Sequence, residues 1–273
     1  MNFHDPDDLS ASIVNAAVTI EREGLLAWVV LTRPGQINAI NDDIRQGVPQ
    51  ALRALDADPA VRVIAIRGDG PRGFCAGADI KEKRGPETAI EVRRRMEGAR
   101  WIEAIDGVQK PVIAAVHGYC MGGGLELALA CDIRYAAPDA VFSLPETALG
   151  LIPGGGGTQR LARVVGPGRA MDLLLTGERL DARAARDIGL VTRMASESGA
   201  LVEEVRAFAL RIAARAPAAT LSVKRAARSA LDLELRQGLD LELDLFAMLK
   251  PSDDAREAAL AFSEKRPPQF TGR

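Results

Sequence analysis

Apolar residues come in short runs along the first two-thirds of the chain, and turn-forming residues punctuate them. Trp28-Val29-Val30-Leu31 is one such run, closed by Arg33-Pro34-Gly35, and reads as a strand followed by a turn. Asn41-Asp42-Asp43 supplies N-cap chemistry for a helix to about Asp56, which Asp58-Pro59 ends. Val61-Arg62-Val63-Ile64-Ala65-Ile66 is β-branched and mostly apolar, which predicts a strand buried on both faces. Residues 87–105 are patterned as a helix, with Ile90, Met96 and Trp101-Ile102 towards one side and Arg93-Arg94-Arg95 towards solvent. The pattern then recurs: 111–116 predicts a strand, 118–124 a turn, 125–130 a helix and 132–136 another strand. Strands alternating with helices predict an α/β core.

Beyond about Ala195 the pattern changes. Residues 201–215, 220–235, 238–249 and 252–263 are patterned as helices, with breaks expected at Pro217, Gly238 and Pro251. Leu239, Leu241, Leu243 and Leu245 do not fit one narrow stripe, so their helix is either buried on several sides or packed against another subunit. The chain therefore divides into a catalytic core over 1–195 and a helical region over 196–273. The latter is too small for much core of its own, so packing on the core and on partner subunits is expected.

Composition narrows the function classes. The 273 residues are 47% hydrophobic, enough for one large domain with an appendage, and 35 basic against 37 acidic residues give a net charge of −2. That balance lacks the basic footprint of a dedicated nucleic-acid binder. The longest apolar runs fall well short of the ~20 residues of a membrane span. The acidic start, Met1-Asn2-Phe3-His4-Asp5-Pro6, has no targeting character. Cys75, Cys120 and Cys131 lie among apolar residues and read as reduced, buried thiols of a cytoplasmic protein. With only His4 and His117 and no ligand spacing, no metal site is expected, and His117 reads as a structural residue beside a turn.

Two carboxylates stand out against this background. Glu126 is the one charge in Leu125-Glu126-Leu127-Ala128-Leu129-Ala130, and Glu146 follows Phe142-Ser143-Leu144-Pro145. A carboxylate among apolar neighbours is costly to ionise, so it is usually paired, shifted or used in chemistry. The plainer readings are an exposed helix position for Glu126 and a helix-start carboxylate for Glu146. Glycine-rich loops adjoin both. Gly122-Gly123-Gly124 opens a helix whose first N–H groups could face an oxyanion, and 154–157 is a permissive turn entering another helix. Two strand-to-loop transitions echo one another, at Phe74-Cys75-Ala76-Gly77-Ala78-Asp79 and at Cys120-Met121-Gly122-Gly123-Gly124, and could aim backbone N–H groups at one site.

Taken in order, these segments resemble the enoyl-CoA hydratase/isomerase, or crotonase, family from about Trp28 to Phe270. The resemblance rests on Arg33-Pro34 with Asn38-Ala39, 74–81, 111–118, 122–128, Pro145-Glu146, Ile152-Pro153 with 156–160, and 262–266. It implies a repeated ββα spiral core with a C-terminal helical trimerisation region, assembled as a homotrimer or a dimer of trimers. It also implies an acyl-CoA substrate and no metal or redox cofactor. The thioester carbonyl would sit between the N–H groups of Ala78 and Gly123, and Ala76, Ala78, Asp79, Ile80 and Lys81 would line the CoA surface. Phe246 and Lys265 match positions near the CoA nucleotide. By the same resemblance Glu126 would activate a water and Glu146 would supply a proton, so that water adds syn across a 2-trans-enoyl-CoA to give a 3-hydroxyacyl-CoA. Nearby carboxylates titrate as a pair, which leaves the acid and base assignment open.

The sequence also departs from the family. Gly35 stands where a basic residue often follows Arg-Pro, removing one contact to the CoA phosphates. The context of Leu125 and Leu144-Pro145-Glu146-Thr147 resembles the methylglutaconyl-CoA hydratase branch, so branched-chain hydration and double-bond isomerisation are the alternatives within the family. An RNA-binding protein with residual hydratase activity is the alternative of a different class. The lysine-rich helix tied to RNA binding in that branch is replaced here by Leu52-Arg53-Ala54-Leu55-Asp56-Ala57-Asp58, and RNA binding is not expected. The loop at 83–91 and the side chains near Ala148-Leu149 are expected to shape the acyl pocket.

Overall fold

A computed structural model describes residues 10–79, 81–82 and 85–273. His4, Ile80, Lys83 and Arg84 lie outside the described residues, so the expectations placed on Ile80 and on part of the 83–91 loop are not addressed. The chain begins with β1 (Ser10–Asn15), β2 (Val18–Glu23), β3 (Leu26–Leu31), α1 (Asp42–Ala57), β4 (Val63–Gly68) and α2 (Ala89–Gly98). It continues through β5 (Val112–Val116), β6 (Tyr119–Met121), α3 (Gly123–Ala130), β7 (Ile133–Ala136), β8 (Val141–Ser143), α4 (Gly157–Val165) and α5 (Pro167–Thr176). It ends with β9 (Leu180–Asp181), α6 (Ala182–Asp187), β10 (Arg193–Met194), α7 (Leu201–Ala213), α8 (Pro217–Ser229), α9 (Leu235–Leu249) and α10 (Asp253–Glu264).

The strands form two sheets. The larger runs β1-β2-β3-β4-β5-β7-β10, antiparallel through its first three strands and parallel from β3 onward. The smaller is β6-β8-β9, and bridges from Gly73 to Gly118 and from Cys75 to Cys120 lay the 73–75 stretch beside it. Each turn of the chain thus adds a strand to the large sheet, a short strand to the small one, and then a helix. This is the expected ββα repeat, seen in β4 with 73–75 and α2, in β5-β6-α3, and in β7-β8 followed by α4.

Both faces of the large sheet are buried, which explains the nearly unbroken apolar strands. Ala27, Val29, Leu31, Ile64 and Ile66 point into the main core with Ile44, Val48, Leu52 and Leu55 of α1. Leu26, Trp28, Val30, Val63 and Ala65 alternate to the other face. There Leu201, Val205, Ala209 and Ala213, spaced four apart along α7, cover them as one helical stripe. The Asn41 side chain accepts the Ile44 N–H at 3.1 Å, the cap expected for α1.

Four expectations change. The turn expected at 118–124 contains strand β6 at Tyr119–Met121, and α3 already starts at Gly123. The helix at 87–105 is two elements: α2, started by a Thr88–Glu91 capping box, ends at Gly98, and a 3-10 turn follows at Ile102–Ile105. None of α2 is buried and Ile90 is 66% exposed, so its apolar residues do not face a core; Ile102 and Ile105 do. Pro217 starts α8 instead of preceding it, because its missing N–H costs nothing at the first helical position. Gly238 lies inside α9, where its N–H bonds the Glu234 carbonyl, so the break expected there occurs earlier, at 230–234.

The three cysteines are buried and unpaired. His117 Nε2 lies 2.7 Å from the Gly70 carbonyl oxygen, a structural role. Among the described residues no helix is long and apolar enough to cross a membrane, and no cluster of three or more His, Cys, Asp or Glu could hold a metal. Within one chain α9 leaves Leu235, Leu239, Leu243, Phe246 and Met248 exposed.

Candidate active site

Two loops meet where the short strands of successive repeats pair. The first is carried by a sharp reversal at Ile37 and Asn38, both left-handed with φ of 51° and 53°. The buried Asn38 amide braces it. Its oxygen accepts the Arg33 N–H at 2.9 Å and its nitrogen donates to the carbonyls of Asp69 and Gly73, each at 3.0 Å. The 37–40 segment then stitches the loop along its length: Ala76 N–H donates to Ile37 O (2.9 Å), Ile40 N–H to Gly77 O (2.8 Å) and Asp79 N–H to Ile40 O (3.0 Å). The N–H of Ala78 falls between these bonds and has no partner among the described residues. Ala78 itself is exposed.

The second loop leads from β6 into α3. Cys75 N–H donates to Tyr119 O at 3.0 Å and Met121 N–H to Cys75 O at 2.9 Å, so the two loops run side by side. A Cβ on Gly77 would lie 2.9 Å from Met121 O and 3.5 Å from Gly123 N, which is why this close approach takes a glycine at φ +90°. Gly122 is the N-cap of α3 and offers no side chain to the first turn. The Gly123 N–H is therefore an open helix-start donor beside the Ala78 peptide. Two backbone donors brought together this way can hold one oxyanion.

The glutamates bracket this point. Glu126, in the first turn of α3, is 4% exposed, and its Oε1 accepts the N–H groups of Gly155 (2.7 Å) and Gly157 (2.8 Å). Its Oε2 would lie 3.9 Å from a Cβ on Gly123 and 2.7 Å from one on Gly155. Glu146 opens the 3-10 turn Glu146–Leu149, and its Oε1 would lie 2.8 Å from a Cβ on Gly122. Its Oε2 is buried without a hydrogen-bond partner among the described residues. Burial raises both carboxyls above the ordinary glutamate range. For Glu126 the bonds from Gly157 and Gly155 and the charge of Arg160 work against that rise. For Glu146 repulsion from Glu126 adds to it. The pair is unequally supported: two glycine N–H groups and a cation favour ionised Glu126, whereas Glu146 has only its own backbone N–H to favour ionisation and is opposed by the charge of Glu126.

A family model for enoyl-CoA hydratase/isomerase matches residues 21–273. The chain belongs to that family. A crotonyl-CoA hydratase of Syntrophomonas wolfei is 39% identical over 254 residues, covering 93% of this chain and 97% of its own. A probable enoyl-CoA hydratase of Rhizobium meliloti is 41% identical over the same coverage of each. Among solved structures, an enoyl-CoA hydratase from Bacillus anthracis superposes with a TM-score of 0.89 at 35% identity, covering 94% of this chain and all of the other. One from Geobacillus kaustophilus gives a TM-score of 0.90 at 31% identity, covering 97% and 99%. The mixed α/β core with C-terminal helices is the fold of these family members.

The structure brings Ala78, Gly123, Glu126 and Glu146 together, with Ala76 and Asp79 on the same loop as Ala78. Asp79 faces away from the carboxylates: Arg33 Nη2 reaches its Oδ2 at 2.9 Å, its Oδ1 accepts the Lys81 N–H, and the bond to Arg33 holds its carboxyl below the usual range. Lys81 is exposed beside it. Phe246 and Lys265 are placed elsewhere. Phe246 is 63% exposed on α9, which packs mainly on α8, and Lys265 closes α10 in a left-handed cap. Sequence reasoning treated 154–157 as backbone geometry near the site and missed that two of its N–H groups grip Glu126. It also missed the Ile37–Ile40 brace and Arg160. Main-chain donors leave no trace in residue type, and the one signal was the glycine density itself.

Proposed function

We propose that this enoyl-CoA hydratase family member hydrates a 2-trans-enoyl-CoA through Glu126 and Glu146. The observation that carries the mechanism is the pair of unequally supported carboxylates, buried Glu126 and half-buried Glu146, flanking the start of α3, next to the unpartnered N–H groups of Ala78 and Gly123. The thioester oxygen accepts both N–H groups. Ionised Glu126 takes a proton from water as the water oxygen bonds to the β-carbon. The π electrons move towards the thioester oxygen, and protonated Glu146 delivers its proton to the α-carbon. Water and enoyl-CoA are consumed and a 3-hydroxyacyl-CoA leaves, with addition syn if both carboxylates face one side of the double bond. The proton gained by Glu126 returns to Glu146 through solvent to restore the starting pair. A backbone donor aimed at the oxyanion lowers the barrier by about 3 kcal/mol.

This chemistry calls for no metal or redox cofactor; CoA enters as part of the substrate. Ala76, Ala78, Asp79 and Lys81 line the CoA side of the cleft in this reading. Phe246 and Lys265 reach CoA from a neighbouring subunit of a homotrimer or dimer of trimers, which is supported by the exposed apolar side of α9. The buried, unpaired cysteines support a cytoplasmic setting and a place in fatty-acid β-oxidation is consistent with the substrate class. Neither a nucleic acid nor a membrane is part of the reading.

The direct test follows loss of enoyl-thioester absorbance with crotonyl-CoA. Wild type is expected to turn over, and Glu126→Gln and Glu146→Gln each to lose about two or more orders of magnitude in kcat. Near-native turnover by either variant refutes the paired-carboxylate mechanism. Product mass separates hydration from isomerisation, since only hydration adds water, and a panel including branched enoyl-CoAs separates the two hydrations.

A further inference from the structure

Behind Glu126 lies a chain of charges that the proposed mechanism does not use. Arg160, in the first turn of α4, donates from Nη1 and Nη2 to the two oxygens of Asp106 at 2.9 and 2.6 Å, a bidentate fork. Its Nε is buried without a partner among the described residues and would lie 3.0 Å from a Cβ on Gly156, so the guanidinium is folded back over the turn. That turn is 155–157, whose N–H groups hold Glu126, and the Arg160 N–H itself closes on the Gly156 carbonyl at 2.8 Å. Asp106 caps the 3-10 turn whose Ile102 Cδ1 would lie 2.6 Å from a Cβ on Gly155. Arg160 thus bears on the 155–157 turn at Gly156, and the 3-10 turn that Asp106 caps bears on it at Gly155. Arg228 of α8 continues the chain, 3.5 Å from Asp106, 2.8 Å from Asp132 and bonded to the Ala130 carbonyl at the end of α3.

We propose that Arg160, clamped by Asp106, is a positioning residue for Glu126: it fixes the 155–157 turn that grips the carboxylate and adds a positive charge to the two N–H bonds that favour the base form. The proposal rests on the hydratase reading above. The groups around Glu126 assign the charge to Arg160. α3 carries no other ionisable residue within its span. Glu146 approaches from the 3-10 turn at Glu146–Leu149 and is repulsive. Asp106 and Glu103 stand beyond Arg160 and act on it first. Arg160 is the cation that acts on Glu126, less strongly than the Gly157 and Gly155 N–H groups of the turn it braces. A guanidinium suits the task because it stays charged at every working pH and its planar fork matches a carboxylate.

The test is the pH profile of kcat/KM for crotonyl-CoA. Arg160→Met keeps the stem and removes the charge. Its acid limb, governed by deprotonation of the base, should move up by about one pH unit, with kcat down about 10-fold or more and KM nearly unchanged. Arg160→Lys restores a charge without the fork and should return the limb while leaving kcat below wild type. A folded Arg160→Met enzyme whose limb stays in place overturns the proposal. Should that variant not fold, 13C-detected titration of the Glu126 carboxyl in the wild type decides, and titration of Glu126 above Glu146 overturns it. Glu126→Gln keeps the two readings apart: if that variant is active, the hydratase mechanism fails, whereas an inactive Glu126→Gln beside an unshifted Arg160→Met removes the role of Arg160 alone.

Discussion

Gly122→Ala tests the site with the addition of one carbon. Gly122 takes φ +51°, ψ −125°, a conformation that side chains avoid, and a Cβ there would lie 2.8 Å from Glu146 Oε1. Holding a non-glycine residue in such a region costs about 1–3 kcal/mol. In a domain of this length that is a fall in Tm of roughly 2–5 °C. The contact is relieved if Glu146 retreats by roughly half an ångström; a misplacement of about 1 Å can cost on the order of 100-fold in rate, so roughly 10-fold is expected here.

Calorimetry and crotonyl-CoA hydration read the two effects separately. Gly24→Ala is the control: it has φ +58° and open space around the new carbon, and sits in the β2–β3 hairpin. It should lose about 1 kcal/mol of stability at full kcat. Gly122→Ala should lose both. Because the damage runs through Glu146, adding Gly122→Ala to Glu146→Gln should cost little further activity. A Gly122→Ala enzyme with a lowered Tm but wild-type kcat/KM would show that the Glu146 carboxylate does not act where the geometry puts it.

Two more outcomes follow from the same coordinates. Both carboxyls are raised, so between the ordinary glutamate value and the raised native one the folded state binds more protons than the unfolded chain. Stability contributed by these groups is therefore full below that window and falls as pH rises through it. Glu126→Gln and Glu146→Gln should melt above wild type near about pH 8 and converge with it near about pH 4, as measured by Tm against pH. Leu243, 64% exposed on α9, is expected in a subunit interface, so Leu243→Asp should convert a sedimenting trimer or hexamer of the 29.1 kDa chain towards monomer. Monomeric wild type would refute that placement.

What the sequence made legible follows from how local each cause is. The α1 cap at Asn41, the doubly buried β4 and the Ser252-capped α10 rest on neighbouring residues, and they were readable. The break of the 87–105 helix was not, because its apolar residues look alike whether they face a core or a cleft; Met96 Cε lies 3.2 Å from a Cβ position on Gly154, at the edge of the site. Charge isolation flagged Glu126 and Glu146 correctly as unusual, but their approach depends on three successive repeats stacking. The Arg160–Asp106 fork joins residues 54 apart, and either alone reads as an ordinary surface charge.

The helix α3 shows why the site could be found at all. Its eight residues place an unpaired N–H at one end and one carboxylate in an otherwise apolar turn. A helix selected only for packing would carry a leucine or alanine at Glu126, since burying that carboxylate raises its pKa against the pull of its partners. The fold offsets the cost with two glycine N–H groups, and the α4 turn that presents one of them also brings Arg160. Local preference fails where function requires it to. The compensation is scattered over backbone and distant charges, so the exception is visible in the sequence while its remedy appears only in three dimensions.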